Sequence, residues 1–409
     1  MHEVRTREPN RAQGVIRFEM PEDTLPQDHA ARLLWRMVET LDLSEFLADA
    51  KAIEGRAGRA VTSVRMLLTL WLYAISRGIG SAREVTRLIT SDDGFRWIVG
   101  DQQVGRTVVS EFRVAHEAAL DKLFTDVLGV LIHKGLLSLE LVAQDGTRVR
   151  AWASAPSFRG EASLEECREQ AALHVKAVFA DADNPELTEA QKRAREAGAL
   201  DYQRRVEEAL ATVGELRDEG KKKPRASTTD AEARVMKMPD GGFRPAYNIQ
   251  EATAGSPMGG PRTVVGVLVT NLGSDMSSIT PMLDQIESRT EQLPEVLLAD
   301  ANHATHACIR NATQRGVTPV VAVPSRSEKP GPQGDTDPDV QAWRDRMQTD
   351  EAKKLYKARA GLCELTNAHL KHHHGTSQVL VRGLDKVKCV ALLGALTANL
   401  LAHAHSLLA

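Results

Sequence analysis

Residues 138–153, SLELVAQDGTRVRAWA, decide the fold class. The apolar run ends on Asp145, Gly146 marks a bend, and the following residues form a second extended run with alternating Arg side chains, so the segment reads as strand, bend, strand. Residues 295–300, EVLLAD, repeat the form: a short apolar run closed by Asp300. A third acid, Glu364, lies within residues 353–371, KKLYKARAGLCELTNAHLK, which have helical periodicity, no Pro and only Gly361 to weaken them. A strand end holds a carboxylate rigidly at the rim of a sheet. Two such acids and a third from a covering helix can converge on a pair of hard divalent cations, which prefer oxygen ligands.

Upstream, residues 27 to about 135 read as several amphipathic helices separated by short Gly-containing turns. They form a small helical domain: either a helix-turn-helix inserting SAREVTRLI or RTVVSEFRVAH into a DNA groove, or a plain helical bundle. Downstream of the first strand, residues 163–219 place Leu, Ala and Val at helical spacing among many Glu and Arg, and GKKKPR follows. This block, about 160–225, reads as a helical insertion built from an antiparallel helix pair, its charges a solvated face. Four strand-like segments come next, in GGFRPAYNIQEAT, RTVVGVLVTN, PEVLLAD and TPVVAVP, with helices between the later ones. Strands first paired through turns and then alternating with helices predict a mixed sheet with helices on its faces.

A chain of 409 residues exceeds one ordinary core, so two domains or one domain with a large insertion is expected. The four cysteines show no paired spacing, which fits reduced thiols in a cytosol. The start MHEVRTREPN lacks a signal-peptide core, and the apolar stretches near residues 66–75 and 390–402 are too short or too interrupted to span a bilayer. Net charge is −3, yet residues 51–113 carry ten Lys and Arg against six acids, and residues 351–409 carry eight against three with six His besides. Phosphate contact depends on local cation density, so these segments are either DNA-facing surfaces or solvated helix faces.

Taken together, the motifs around Asp145, residues 227–250 and 269–283, LLAD ending at Asp300, and residues 342–368 and 379–401 resemble DDE transposases of bacterial insertion sequences. GFRWIVGDQQVGRTVVSEFRVAH, residues 94–116, resembles the same family. The resemblance implies an α/β, ribonuclease H-like mixed sheet with flanking helices over residues 136–409, interrupted by the helical insertion. An all-helical N-terminal domain over residues 1–135 precedes it. It implies cleavage and joining of DNA at element ends by two-metal phosphoryl transfer, with two Mg2+ ions (Mn2+ able to substitute) held by Asp145, Asp300 and Glu364. Tyr356, Arg359 and Lys371 match the family's signature around the third acid, and Arg148 and Asn367 join them as DNA-contacting candidates. On a regular helix Glu364, Asn367 and Lys371 share one face. Arg148 reads equally as an exposed strand Arg. Double-stranded DNA is the implied partner, with a homodimer on it, no membrane, and a cytoplasmic, nucleoid-associated location.

Two places depart from the family pattern. Many relatives follow the second acid with Gly and an aromatic residue, where this chain has Ala301, Asn302 and His303, and the run Lys371, His372, His373, His374, Gly375 is one residue longer than in relatives. The histidines, with Cys363 and His369, could suggest zinc, but consecutive residues cannot all face one ion, and a basic DNA-facing surface is the stronger reading. The alternative function is a decayed or domesticated homologue that binds DNA without cutting it.

Overall fold

The computed structural model describes residues 18, 20–48, 61–181, 184–324, 337–373, 375 and 377–408. The N-terminal residues read above for a targeting signal, much of the Pro-rich loop after residue 324, and His374 lie outside them, as do the side chains of His372 and His373. Six helices open the fold: α1 (Ala30–Glu39), α2 (Val64–Ser76), α3 (Ala82–Leu88), α4 (Asp93–Val99), α5 (Arg106–Ala115) and α6 (Glu117–His133). Ser63, Ser81 and Asp92 start α2, α3 and α4 by accepting a first-turn backbone N–H, as N-cap side chains do. Buried on nearly every side, α2 has no room for a charge beyond Arg65 in its first turn.

Strand β1 (Leu141–Arg150) runs straight through Gly146, where a bend was expected. A Cβ at Gly146 would stand 2.1 Å from Gln250 Nε2 and 2.4 Å from Asp275 Oδ1, so Gly here serves close approach rather than a turn. The insertion begins and ends on a two-strand clasp, β2 (Phe158–Arg159) with β3 (Ala226–Ser227). Between them α7 (Glu161–Ala180) and α8 (Glu189–Asp218) form the expected pair. Arg217 at the end of α8 pairs with Glu161 at the start of α7 at 2.6 Å, and Arg195 pairs with Asp181 past the end of α7 at 2.8 Å. Those two contacts make the helices antiparallel.

The main sheet adds β4 (Arg234–Lys237), β5 (Phe243–Ala254), β6 (Thr263–Thr270), β7 (Val296–Ala299) and β8 (Thr318–Val321). Its order is β4-β5-β1-β7-β8, with β6 also on β5. Strand β5 is antiparallel to β1, β4 and β6, whereas β1, β7 and β8 are parallel. The sheet is therefore mixed, as the switch from turn-linked to helix-linked strands predicted. β4 was not anticipated, because RVMK offers a single residue, Met236, to the interior. Helices α9 (Ile279–Thr290) and α10 (His306–Gln314) flank β7, and α11 (Pro338–Arg346), α12 (Asp350–Tyr356), α13 (Leu365–Ala368), α14 (Leu384–Ala402) and α15 (Ala404–Leu408) complete the chain.

One apolar cluster runs from the first helices through α14 to the sheet. Helix α14 packs against α2, α5 and α6 on one side and against β6 on the other, which explains a sequence apolar nearly all round. Edge strand β6 would expose unpaired backbone groups. Two helix amides close it: Asn399 accepts from Val264 N and donates to Val264 O, each at 2.8 Å. Gln285 of α9 does the same for Val267, at 2.6 and 3.0 Å. Both side chains act as fragments of a missing neighbouring strand.

Replacing Asn399 with Leu leaves the N–H and C=O of Val264 buried without partners. The expected cost is about 2–4 kcal/mol of unfolding free energy, read as a lower urea midpoint at unchanged slope.

Candidate active site

Strand alternation and register put the first two acids together. Leu141 pairs with Val296 and Ala143 with Leu298 in the parallel β1/β7 ladder. Side chains repeat every second residue, so continuing the register by two brings Asp145 beside Asp300 on the same face. Leu141, Ala143 and Leu298 on that face pack with Val320 and with Leu362 and Cys363 of the segment leading to Glu364. The apolar residues before each acid thus seat the acid-bearing segments against one another.

That covering segment is not a regular helix. Residues Ala360–Glu364 and His369–His373 take wide π-type turns on either side of α13, so the expected common face is broken. Asn367 and Lys371 still reach β1: Asn367 Nδ2 donates to Asp145 Oδ2 at 3.1 Å, and Lys371 Nζ lies 3.4 Å from Thr147 Oγ1. Glu364 instead stays about half exposed, with Arg359 at 2.8 Å. The Arg359 guanidinium also stands 3.7 Å from Asp145 Oδ1 and 5.8 Å from the Tyr356 ring. A single cation therefore bridges the first and third acids. Arg148 is not part of this group: strand alternation turns it to the opposite face, where it donates to Gly273 O at 3.0 Å and approaches Asp275 at 3.8 Å.

The electrostatics follow from burial and partners. Burial raises the Asp145 carboxyl above its ordinary range, Arg359 opposes this, and the neighbouring Asp300 adds to it. Burial also acts upward on Asp300, but the His303 hydrogen bond, the His303 charge and the Asn302 N–H together hold it below its ordinary range. Burial lowers Lys371.

Three residues at this site were not singled out as functional from the sequence. Glu251 is cross-strand from Asp145 and fully buried, and its Oε2 lacks a hydrogen-bond partner. Burial, with Asp145 opposite, pushes its carboxyl up to about 8. His303 is wholly buried, with Nδ1 2.6 Å from Asp300 Oδ1 and Nε2 3.0 Å from Gln250 Oε1. Gln250 in turn donates to Asp275 Oδ1 at 2.5 Å and approaches Gln144 Nε2 at 3.4 Å. An acid within a strand-like run, as in YNIQEAT, was the available signal for Glu251. Nothing local marks the partners of His303, which lie on distant strands.

Residues 19–115 match a family model described as Transposase domain (DUF772), and residues 335–402 match one described as Transposase DDE domain. Together the two matches support a DDE transposase of insertion-sequence type. No curated protein and no solved structure matches the chain. The second match spans Glu364, Asn367, Lys371 and α14, whereas Asp145 and Asp300 lie outside both matched ranges. DDE domains generally use divalent metals, and the transposase family implies DNA as substrate. Among the described residues, no three His, Cys, Asp or Glu side chains are gathered closely enough to hold an ion as they stand, and no helix is long and apolar enough to cross a membrane. The donor set nevertheless fits a hard cation: the acids offer only oxygens, and Asp145 and Glu364 already share one positive group.

The raised Glu251 carboxyl sets a pH dependence of stability. In the folded, metal-free protein it stays protonated up to about 8, while the unfolded chain ionises near the ordinary value of 4.5. Its contribution is complete below the ordinary value and is lost as pH rises through the folded one. Glu251→Gln, uncharged throughout, should raise Tm over wild type at pH 8 and change it little near pH 4.5. An equal shift at both pH values would contradict the buried, protonated carboxyl.

Proposed function

We propose that the chain cleaves and joins DNA at the ends of an insertion sequence by two-metal phosphoryl transfer on Asp145, Asp300 and Glu364. One observation carries this reading: Asp145, inside β1 and not at its end as expected, stands beside Asp300, just past the end of the parallel strand β7, with Arg359 linking Asp145 to Glu364. The antiparallel β6-β5-β1 unit continued by parallel β7 and β8 supports a ribonuclease H-like sheet. In the same reading, residues 1–135 bind DNA as a helical domain and residues 136–409 carry the chemistry, with the insertion at about 160–225 as an arm. A homodimer synapses two DNA ends, Mn2+ substitutes for Mg2+, and the protein works in the bacterial cytoplasm at the nucleoid.

Bound divalent ions would supply an activated water or 3′-hydroxyl and stabilise the leaving oxygen. The chain's own residues prepare for this. Asn367 orients Asp145 from its Oδ2 side, and the hydrogen bonds on Asp300 keep it ionised and ready to ligate. Glu364, half exposed beside Arg359, would help to hold the ions, and Arg359 would meet a phosphate. Lys371, half-buried beside Thr147, holds the next phosphate.

With Mg2+ and its flanking element ends, the wild-type protein should nick DNA. Asp145→Asn should abolish nicking while sparing folding and most DNA binding. Equal nicking by both proteins would rule out the carboxylate site, and specific binding without nicking by wild type would establish the non-catalytic alternative.

Arg359→Ala and Lys371→Ala should each weaken DNA binding and lower its salt slope by about one unit for every phosphate no longer neutralised. An unchanged slope in titrations at several salt concentrations would show that these cations serve the acids alone.

A further inference from the structure

The residues that depart from the family pattern after the second acid are the ones that grip it. Asp300 Oδ1 lies 2.9 Å from Asn302 N and 2.6 Å from His303 Nδ1, and Asn302 Nδ2 lies 3.0 Å from Oδ2. Oδ1 therefore has two donors, and Oδ2 is the oxygen with coordination capacity to spare. The donors belong to the short turn Ala301–His303 that Asp300 itself caps. Alone, such a turn would be a pliant support at a strand end.

His303 ties that turn to the sheet. Its ring is fully buried, and Nε2 meets Gln250 Oε1 at 3.0 Å on the central strand β5. Gln250 is held by Asp275 Oδ1 at 2.5 Å, and Asp275 also takes Asn248 Nδ2 at 2.8 Å. Gly146, next to Asp145, leaves the room that this network fills. A line of hydrogen bonds thus runs from the second acid, through an imidazole, into the strand paired with the one carrying the first acid. Two carboxylates that must hold shared ions need a fixed separation, and outer-shell partners of ligating carboxylates set it.

We infer that His303 is a positioning residue: it donates through Nδ1 to Asp300 and, anchored on Gln250, fixes the carboxylate for divalent-metal binding. This rests on the assignment of Asp300 as a metal ligand. On this account the departures Asn302 and His303 support the acid, and they are not signs of decay.

The test is Mn2+ binding by the full chain in the presence of duplex DNA, followed by electron paramagnetic resonance well below the melting temperature, with metal-free melting recorded in parallel. Four proteins are compared: wild type, Asp300→Asn, His303→Leu and His303→Asn. Leu fills the pocket without a donor, whereas Asn places an amide donor near the position of Nδ1. The expected result is a loss of Mn2+ affinity of roughly 10–100-fold for His303→Leu, with most of it recovered in His303→Asn and a severe loss in Asp300→Asn. A purely structural role would lower the melting temperature and leave the affinity of the folded protein unchanged. If Asp300→Asn loses affinity while folded His303→Leu keeps it, the positioning role is overturned and the metal assignment stands. If Asp300→Asn binds Mn2+ like wild type, or wild type binds none, the metal assignment itself fails. Should His303→Leu not fold, Gln250→Leu removes the ring's other anchor: weakened affinity supports the inference, and wild-type affinity overturns it.

Discussion

Backbone register and apolar packing set Asp145, inside β1, beside Asp300, just past the end of β7, and donors and a cation offset the repulsion between the two carboxylates. Each acid is stabilised differently. Asp300 draws on its own turn, where His303 and Asn302 donate to it. Asp145 draws on the covering segment, through Asn367 and Arg359. The first support is tied into the sheet through His303 and Gln250. The second belongs to a segment wound in π turns and packed on the sheet through Leu362 and Cys363. One acid is thus supported from within the sheet and the other by how one covering segment lies on it.

Behind that site, α14 joins the N-terminal helices to the edge of the sheet. Its apolar surface fills the space between α2, α5, α6 and β6. Its Asn399 supplies the backbone partners that β6 lacks on its open side. Buried amides are costly unless every bond is made, and here both are. The same helix lies within the residues that match the transposase DDE domain, so the match and the packing mark one structural unit.

Much of this architecture could be read from residue pattern alone. Short apolar runs ending on an acid located β1 and β7, and the charged Leu/Ala spacing located the α7/α8 pair, because these features are local. Glu364 was expected on a segment covering the sheet, and its segment does pack there. The failures were non-local. The turn-linked pair β5 and β6 was expected, but the further pairing of β5 with β1 and β4 cannot be deduced from alternation in FRPAYNIQEATA, since most of its side chains are buried. The π turns replaced the expected helical face in a segment that both meets β1 and packs Leu362 and Cys363 on the sheet. Gly146 looked like a bend and is a clearance for Gln250 and Asp275, two residues more than a hundred positions away.

The charge excess shows the limit of counting along the chain. In the described part of residues 51–113, Arg65, Arg77, Arg87 and Arg96 each pair with an acid. Arg113 is buried, donating to the carbonyls of Gly80 and Leu380, and burial lowers its pKa to about 10. An arginine used this way ties α5 to the segment before α14 and offers nothing to a phosphate. In the C-terminal segment Arg359 and Lys371 are turned inward toward β1. Both cations thus face the acids, so a count of charge along the chain does not by itself locate a surface for duplex DNA.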